Sequence, residues 1–523
     1  EADYVPTNNA TLVDQGISPT TTVNTSTTTT DALNNLVPHT NVSSAADIGA
    51  LEYGGTVWTA GIDWTPKFHT AIWKTTASTT VWNTATNWST GAVPTTDVNV
   101  LIPTGASNYP VISSTGAAAK NITVNTSATL IINRDSDLTL SGNLVNRGTI
   151  TLNSDADEFA SIIVQGTSSG NIIYKRYVAD EGSDEWDLIG SPVAGQSISS
   201  FVSANSSIAD EGSQYGIGVF SNDGSTDTAA AMYTNYTTGN VGDAGNFTAG
   251  QGYAMATDEA DIPGTTLDFT GTIRTTDLTG VAIDDNSSNA TNFGKWNLVA
   301  NPFPSYLNAN SDAHASNNFL TVNSSNLHTS YAAVYGYDGD GSFTVYNHTS
   351  PGSAVYIAPG QGFFVASDDS GGNTIQFTEA MQTVSGTDDF NDENSDILDD
   401  IYHVLLRLYE GEYLIEETAL YFQDGLNLGL DPGYDAGAFN QNAALMTRLV
   451  EEDEGHGMAI NAMSTEDMDD VVIPLEINQS SGQEFRVNLH TSSIGQVNIY
   501  LEDTELQTLT LLNEEDFVLT PTL

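Results

Sequence analysis

Short runs in which apolar and polar residues alternate recur along the whole chain, and Gly, Asn, Asp or Ser bounds most of them. Alternation puts successive side chains on opposite faces of an extended strand, whereas a helix repeats its apolar positions every three or four residues. Helical patterns are nearly absent. The pattern therefore predicts an all-β protein.

In one stretch the apolar positions form pairs that return every 8–12 residues, with Asn, Asp or Gly between them. This spacing is typical of the short rungs of a β-solenoid, and an ordinary meander is the alternative. The pairs are Ile122/Val124, Leu130/Ile132, Leu138/Leu140, Ile150/Leu152, Ile162/Val164 and Ile172/Tyr174.

Two longer motifs occur twice, with the same offset of 110 residues. "WDLIGSPV" at 186–193 returns as "WNLVANPF" at 296–303, and "GQGYAMA" from Gly250 returns as "GQGFFVA" from Gly360. We interpret this as a tandem duplication of a β-sandwich module. Trp186 and Trp296 alternate in register with apolar residues, which predicts equivalent buried positions. The alternative is a pair of aromatic platforms for sugars.

The predicted architecture is thus all-β, a short β-solenoid followed by tandem β-sandwich domains. The predicted segments are an N-terminal arm and β-helix-cap-like segment (1–57), a Trp-rich β-solenoid (58–177), sandwich repeat 1 (178–275), sandwich repeat 2 (276–387), an acidic linker (388–400) and a C-terminal β-sandwich (401–523). The Trp cluster at 58–88 is expected to plug the solenoid end, and stacking on sugar rings is the alternative.

Charge and composition narrow the classes of function. Twelve Lys and Arg face 66 Asp and Glu, a formal net charge of −54. This excludes nucleic-acid binding, which needs a positive surface, and makes self-association dependent on salt or divalent cations. The chain has no Cys and no apolar run of membrane-spanning length, so disulfides and membrane insertion are not expected. The Thr, Ser, Asn and Gly richness and the scarce Lys favour a secreted, extracellular or cell-surface glycoprotein.

Several segments resemble a known group of proteins. "VWNTATNWSTGAVPTTDVNVLIPTG", the rungs "LTLSGNLVNRGTITLNSDA", the two duplicated motifs and "LLRLY…ETALYF…YDAGAFN" are similar to cell-surface proteins of Bacteroidota exported by type IX secretion. The resemblance covers roughly residues 70–523. "TLVDQG" (11–16) and "DIGALEYGG" (47–55) resemble the closing turns of parallel β-helix surface proteins. The resemblance implies non-catalytic modules of adhesion, gliding or polymer-degrading machinery, and no catalytic residue carries over.

One loop has metal-ligand spacing. Asp338, Asp340 and Ser342 stand at positions 1, 3 and 5 of a calcium loop, but position 12 is Thr349, which rejects an EF-hand. They form a weak calcium candidate, against a plain acidic hairpin turn. No His pair has zinc-site spacing and no nucleophile elbow appears, so we predict neither a catalytic site nor any cofactor besides calcium.

These features together predict a non-enzymatic structural protein, a subunit of a surface fibre or adhesive layer. The C-terminal module stops about where one further strand is expected, and the extended arm 1–31 is rich in β-branched Thr and Val. The arm is therefore expected to donate a strand to a second copy, head to tail. The alternative is the glycan-binding portion of a larger surface adhesin or polysaccharide-degrading protein, with surface glycans as partners.

Overall fold

A computed structural model describes residues 70–522 except 184–185, 224–231, 289–292, 338, 340–342, 349–353, 369–372, 385, 387, 391–401 and 496, together with the backbone of 28–30 and 36–38. Residues 1–67 form a unit of their own, in which β1 (Thr28–Thr30) and β2 (Leu36–Pro38) pair as an antiparallel hairpin. The two cap-like motifs at 11–16 and 47–55 and most of the predicted linker lie outside the described residues.

The second unit begins with a parallel β-solenoid. Its strands are β3 (Thr70–Ile72), β4 (Asn99–Ile102), β5 (Val111–Ile112), β6 (Ala117–Ala119), β7 (Ile122–Val124), β8 (Thr129–Ile132), β9 (Asp137–Leu140), β10 (Leu144–Asn146), β11 (Thr149–Leu152), β12 (Ser161–Val164), β13 (Ser168–Ser169) and β14 (Ile172–Ala179).

From β4 onward, each solenoid strand pairs in parallel with strands three places away along the chain, and β3 adds to this array by pairing in parallel with β4. The result is three sheets: β13-β10-β7-β4-β3, β14-β11-β8-β5 and β12-β9-β6. In a meander neighbouring strands would pair antiparallel, so the solenoid prediction is confirmed. The predicted pairs point inward: Ile122, Leu130, Leu138 and Ile150, for example, are fully or almost fully buried. Alternation along short strands thus encodes one stacked core.

Three Trp side chains close the N-terminal end of this core. Trp73, Trp82 and Trp88 are 0–1% exposed, and the Trp88 ring meets the other two edge to face at 4.9 and 4.7 Å. The indole nitrogens of Trp73 and Trp88 donate to the carbonyls of Asn108 and Trp82, at 2.7 and 2.8 Å. Buried rings cannot stack on a sugar, so these three Trp pack the core. Trp58 and Trp64 lie outside the described residues.

The first repeat follows the solenoid. It comprises β15 (Asp187–Ile189), α1 (Ile198–Ala204), β16 (Asp210–Glu211), β17 (Gln214–Phe220), β18 (Tyr233–Thr237), β19 (Tyr253–Met255) and β20 (Gly264–Gly271). The second repeat comprises β21 (Leu278–Ile283), β22 (Trp296–Ala300), β23 (Tyr306–Asn308), α2 (Phe319–Asn323), β24 (Val334–Tyr337), β25 (Phe343–Tyr346), β26 (Tyr356–Ile357), β27 (Gly362–Ala366), β28 (Asn373–Phe377) and β29 (Gln382–Thr383).

The two repeats have the same sheet order, and the β15–β19 ladder has the same register as the β22–β27 ladder. Order β15-β19-β17-β18 in the first corresponds to β22-β27-β24-β25 in the second. Asp187 pairs with Met255, and Asn297 pairs with Val365, so both partners are shifted by 110 residues. Each sheet packs on a second layer. In the first repeat this layer is the pair of β14 and β20 with α1, and in the second repeat it is the pair of β21 and β28 with α2. The predicted duplication is confirmed.

A buried amide repeats this equivalence at the helix ends. The Asn205 side chain, at the end of α1, donates to the Asp268 carbonyl (3.2 Å) and accepts from the Asp268 N–H (2.7 Å). Asn323, at the end of α2, does the same with Gln376, at 3.0 and 2.9 Å. Each side-chain amide thus makes the two hydrogen bonds that a neighbouring strand residue would make, and it fixes its helix against the second layer.

The strands of the C-terminal module are β30 (Tyr402–Glu410), β31 (Tyr413–Phe422), β32 (Ala436–Gly437), β33 (Leu445–Thr447), β34 (Met458–Met463), β35 (Leu475–Ile477), β36 (Phe485–Ser492), β37 (Tyr500–Asp503), β38 (Thr508–Leu511) and β39 (Phe517–Leu519). Eight of them form one sheet of order β35-β33-β34-β31-β30-β36-β39, with β32 also paired to β34. Strands β37 and β38 form a separate hairpin. Leu501 on β37 and Leu512, which directly follows β38, pack in the same apolar core as Leu408 and Val487.

Candidate functional site

The predicted calcium residues Asp338, Asp340 and Ser342 lie outside the described residues. Within the described part of the chain, no three or more His, Asp or Glu side chains converge as metal ligands. Neither described helix approaches the length needed to cross a bilayer. The features that stand out are instead the joints between modules.

The first joint is a strand shared by two modules. β14 pairs in parallel with the solenoid strand β11 on one side and antiparallel with β20 of the first repeat on the other, over eight residue pairs. The boundary predicted at residue 177 falls inside this strand. One apolar core therefore continues from the solenoid into the first repeat.

The second joint brings the duplicated motifs of the two repeats together. The Gly190 N–H donates to the Gly360 carbonyl (2.7 Å), and the Ala300 N–H donates to the Gly250 carbonyl (2.9 Å). Residues 190 and 300 are equivalent in the duplication, as are 250 and 360, so an approximate two-fold axis relates the two bonds. A Cβ added at Gly190 would lie 2.3 Å from the Ala300 Cβ, which places the axis between them.

Glycines allow this close approach on both sides of the axis. A Cβ at Gly252 would lie 2.7 Å from Cγ of Leu298, and one at Gly362 would lie 2.7 Å from the Leu188 carbonyl. These contacts are again related by the 110-residue shift. The last glycine of each Gly-Gln-Gly motif is thus needed where the partner repeat's strand passes over it.

The third joint is a buried ion pair between the solenoid side and the second repeat. Arg176 on β14 and Asp389 have side chains 0% and 5% exposed, with Nη2 2.5 Å from Oδ2. The guanidinium also donates to the Pro359 carbonyl (3.1 Å) and lies 4.3 Å from the Phe159 ring centroid. Burial alone lowers the pKa of Arg176, but Asp389 and Asp187 reverse this and raise it overall. Asp389 belongs to the segment predicted as a linker and is buried there instead.

The fourth joint connects the second repeat with the C-terminal sheet. Trp296 is 1% exposed, and its ring lies 4.4, 4.6 and 5.5 Å from those of Phe439, Tyr335 and Tyr331. The Tyr335 hydroxyl donates to the Gly437 carbonyl at 2.8 Å. Leu405, Ala419 and Ile460 of the C-terminal sheet belong to the same apolar core.

Trp186 packs against this same core but is only partly buried. The prediction of a buried position is therefore confirmed for Trp296 and only partly met by Trp186. Their rings face the module joint, which leaves no exposed pair of platforms for a sugar. The second repeat covers its Trp because the C-terminal module lies on that face of its sheet.

One carboxyl group has a pKa suited to proton transfer near neutrality, but solvent does not reach it. Asp435 is 0% exposed, and its two oxygens accept from the N–H groups of Ala462 (2.7 Å) and Asp431 (2.6 Å). Burial raises the pKa of Asp435 to about 7, although both hydrogen bonds lower it. Its role is to fix the loop before β32.

The C-terminal sheet ends in a strand with one partner. Within the described residues β39 forms a ladder with β36 and with no other strand. Val518 points away from the core and is 54% exposed, while Phe517 is buried. At the tip of the β30–β31 hairpin, Tyr413 and Leu414 are 80% and 46% exposed. Unpaired strand edges beside exposed apolar side chains are sites of strand addition.

The sequence signalled some of these sites and missed others. The 110-residue offset identified the duplicated motifs, but nothing in it showed that the copies contact each other. Arg176 and Asp389 are 213 residues apart and have no sequence signal as a pair.

The fold and its joints define a multi-module β protein in which neighbouring modules share strands or cores. The chain belongs to the family described as "Domain of unknown function (DUF8693)", whose model matches residues 72–522. No curated protein and no solved structure matches the chain.

Proposed function

We propose that this chain is a secreted, non-enzymatic structural subunit that assembles head to tail into a surface fibre or adhesive layer. The observation that carries the proposal is the continuity of its joints. Domains within a chain usually meet through modest polar interfaces that allow relative motion. Here a shared strand, a reciprocal backbone joint, a buried ion pair and a common aromatic core connect the modules. Such a chain suits a role in which force passes from one end to the other.

The free edge of β39 supplies the proposed connection between subunits. An edge strand accepts an extended segment through backbone hydrogen bonds, and apolar pockets add specificity. The donor is the arm 1–31 of a second copy, which is rich in Thr and Val and poor in charge. Thr28–Thr30 already adopts a strand conformation in its own unit. Head-to-tail docking is heterologous, so it need not close and builds filaments.

We also propose that the protein acts outside the cell. The charge of −54, the absence of Cys and the similarity of residues 70–523 to Bacteroidota surface proteins support export by type IX secretion. Repulsion between subunits of this charge must be screened, so assembly requires salt or a divalent cation such as calcium.

Deletion of residues 1–31 tests the connection. The truncated chain is expected to remain monomeric in sedimentation under conditions in which the full chain polymerises, and a synthetic peptide of residues 1–31 is expected to block growth of the full chain. A truncated chain that polymerises normally would exclude the arm as the donor.

A matched pair of point variants tests the acceptor. Val518→Lys places a charge beside the β39 edge and is expected to slow assembly. Val472→Lys changes the same residue type at a position 78% exposed in a loop, and is expected to assemble like the original chain. Equal assembly of the two variants would contradict the choice of edge.

A further inference from the structure

A polar groove runs along one corner of the solenoid, away from the joints that the proposed function uses. Its volume is about 660 Å³, within the usual range of ligand sites. The corner is where β5, β8 and β11 end, so three successive rungs contribute to it. Residues that line the groove include Ser113, Asn133, Arg134, Asp135, Asn153 and Glu158.

A ladder of side chains forms the floor of the groove. The Asn133 amide donates to the Ser113 hydroxyl at 2.9 Å, and the Asn153 amide donates to Oδ1 of Asn133 at 3.1 Å. The three residues directly follow Ile112, Ile132 and Leu152, which are in register in adjacent rungs. Hydrogen-bonding groups therefore repeat along the solenoid axis at the spacing of neighbouring strands, about 4.8 Å.

Charged groups of both signs border this ladder. Nε of Arg134 lies 3.1 Å from Glu158 Oε2, and its guanidinium also contacts Asp155. These two ion pairs hold the guanidinium of Arg134 in place. The side chain is still 56% exposed, so some of its N–H donors face solvent. Asp135 also lines the groove and is exposed. The site thus offers fixed donors and acceptors but no aromatic ring among its lining residues.

We propose that this groove binds a linear, uncharged polysaccharide lying along the solenoid axis. An extended sugar chain repeats its hydroxyl groups at an interval close to the rung spacing, and each hydroxyl both donates and accepts. Amide, hydroxyl and carboxylate groups in a fixed row match that pattern. Anionic glycans are disfavoured because Asp135 and Glu158 border the groove and the whole chain has a formal net charge of −54.

The absence of an aromatic platform among the lining residues makes each contact weak. Hydroxyl hydrogen bonds largely replace those made to water, so their net contribution is small. Many copies of the groove on one polymer would increase the overall affinity through multivalency. The groove itself is complete within one chain, so binding does not depend on assembly.

Calorimetric titration of the full chain with neutral hexasaccharides of β-linked glucose, mannose and xylose, and with an oligouronate, tests the proposal. At least one neutral hexasaccharide is expected to bind, and the oligouronate at least tenfold more weakly. Asn133→Ala and Arg134→Ala are each expected to weaken neutral binding about fivefold, the size of one lost hydrogen bond. Arg134 is exposed, so its variant keeps the proposal testable if the loss of Asn133 impairs folding.

The chain offers a matched control on another corner. Asn121 forms a similar rung-to-rung amide contact, donating to Asn99 Oδ1 at 2.7 Å. Asn121→Ala removes an equivalent ladder bond outside the groove and is expected to leave binding unchanged. Three results would overturn the proposal: no binding of any neutral hexasaccharide at millimolar concentration, preference for the oligouronate, or equal binding by the Asn121→Ala, Asn133→Ala and Arg134→Ala variants.

Discussion

Replacing Trp296 with Ala removes the largest side chain from the joint between the second repeat and the C-terminal sheet. The side chain is 1% exposed and meets three aromatic rings at 4.4–5.5 Å. Truncation of a buried Trp typically costs about 3–5 kcal/mol, and lost aromatic pairs add to the loss of buried area. We therefore expect a cost near the upper end, about 5 kcal/mol. The equivalent Trp186→Ala, at a partly buried position, should cost about half as much.

Hydrogen exchange measured by mass spectrometry is the suitable assay, because a chain of several modules does not unfold as one two-state unit. Trp296→Ala is expected to accelerate exchange in β31 and β34, whose Ala419 and Ile460 share its core, and to leave β7 to β11 of the solenoid unchanged. Trp186→Ala is the matched control with a smaller effect. Unchanged exchange in β31 and β34 of the Trp296→Ala variant would refute a shared core that couples the modules. Equal effects of the two variants would contradict the smaller contribution expected of the partly buried Trp186.

Three further predictions address other parts of the molecule. Gly190→Ala should destabilise the joint between the repeats by about 1–3 kcal/mol, because the added Cβ would overlap the Cβ of Ala300. The second substitution Ala300→Gly should restore part of this stability, as measured by thermal unfolding. A double variant no more stable than Gly190→Ala would contradict the contact between residues 190 and 300. The pKa of Asp435 in the folded chain is about 7, above the ordinary value of 3.8, so between these values the native state holds a proton that the unfolded chain releases. The contribution of Asp435 to stability is therefore fully present below about pH 4 and is lost as the pH rises to 7. The melting temperature of the transition that unfolds the C-terminal sheet, in the original chain minus that in Asp435→Asn, should therefore fall across that window. A difference that does not change with pH would contradict this prediction. Finally, low salt with a chelator should reduce sedimentation of the assembled protein, and no change would show that charge repulsion does not limit assembly.

The solenoid and the duplication could be predicted from the sequence because both rest on periodicity. Inward residues such as Leu130 and Ile150 recur once per rung, and the repeats keep one offset. The short helix α1 had no such signal, since its sequence "ISSFVSA" has poor helix propensity. It forms because Ser197 caps it and Phe201 is buried beneath it, so tertiary packing decides its conformation.

The joints could not be predicted because they depend on contacts between distant segments. A glycine that is needed for the approach of another strand looks like a turn glycine when only its neighbours are read, as Gly252 shows. Asp389 stands in an acidic stretch typical of a solvated linker, and only the position of Arg176 explains its burial. The polar groove was missed because Asn133 and Asn153 resemble ordinary turn residues until the rungs stack them.

Electron microscopy of the purified chain of residues 1–523 at about 0.15 M salt with calcium tests the central claim most directly. Head-to-tail assembly predicts filaments of uniform width that disappear when residues 1–31 are deleted. Dispersed single particles at every salt and calcium concentration would contradict the account.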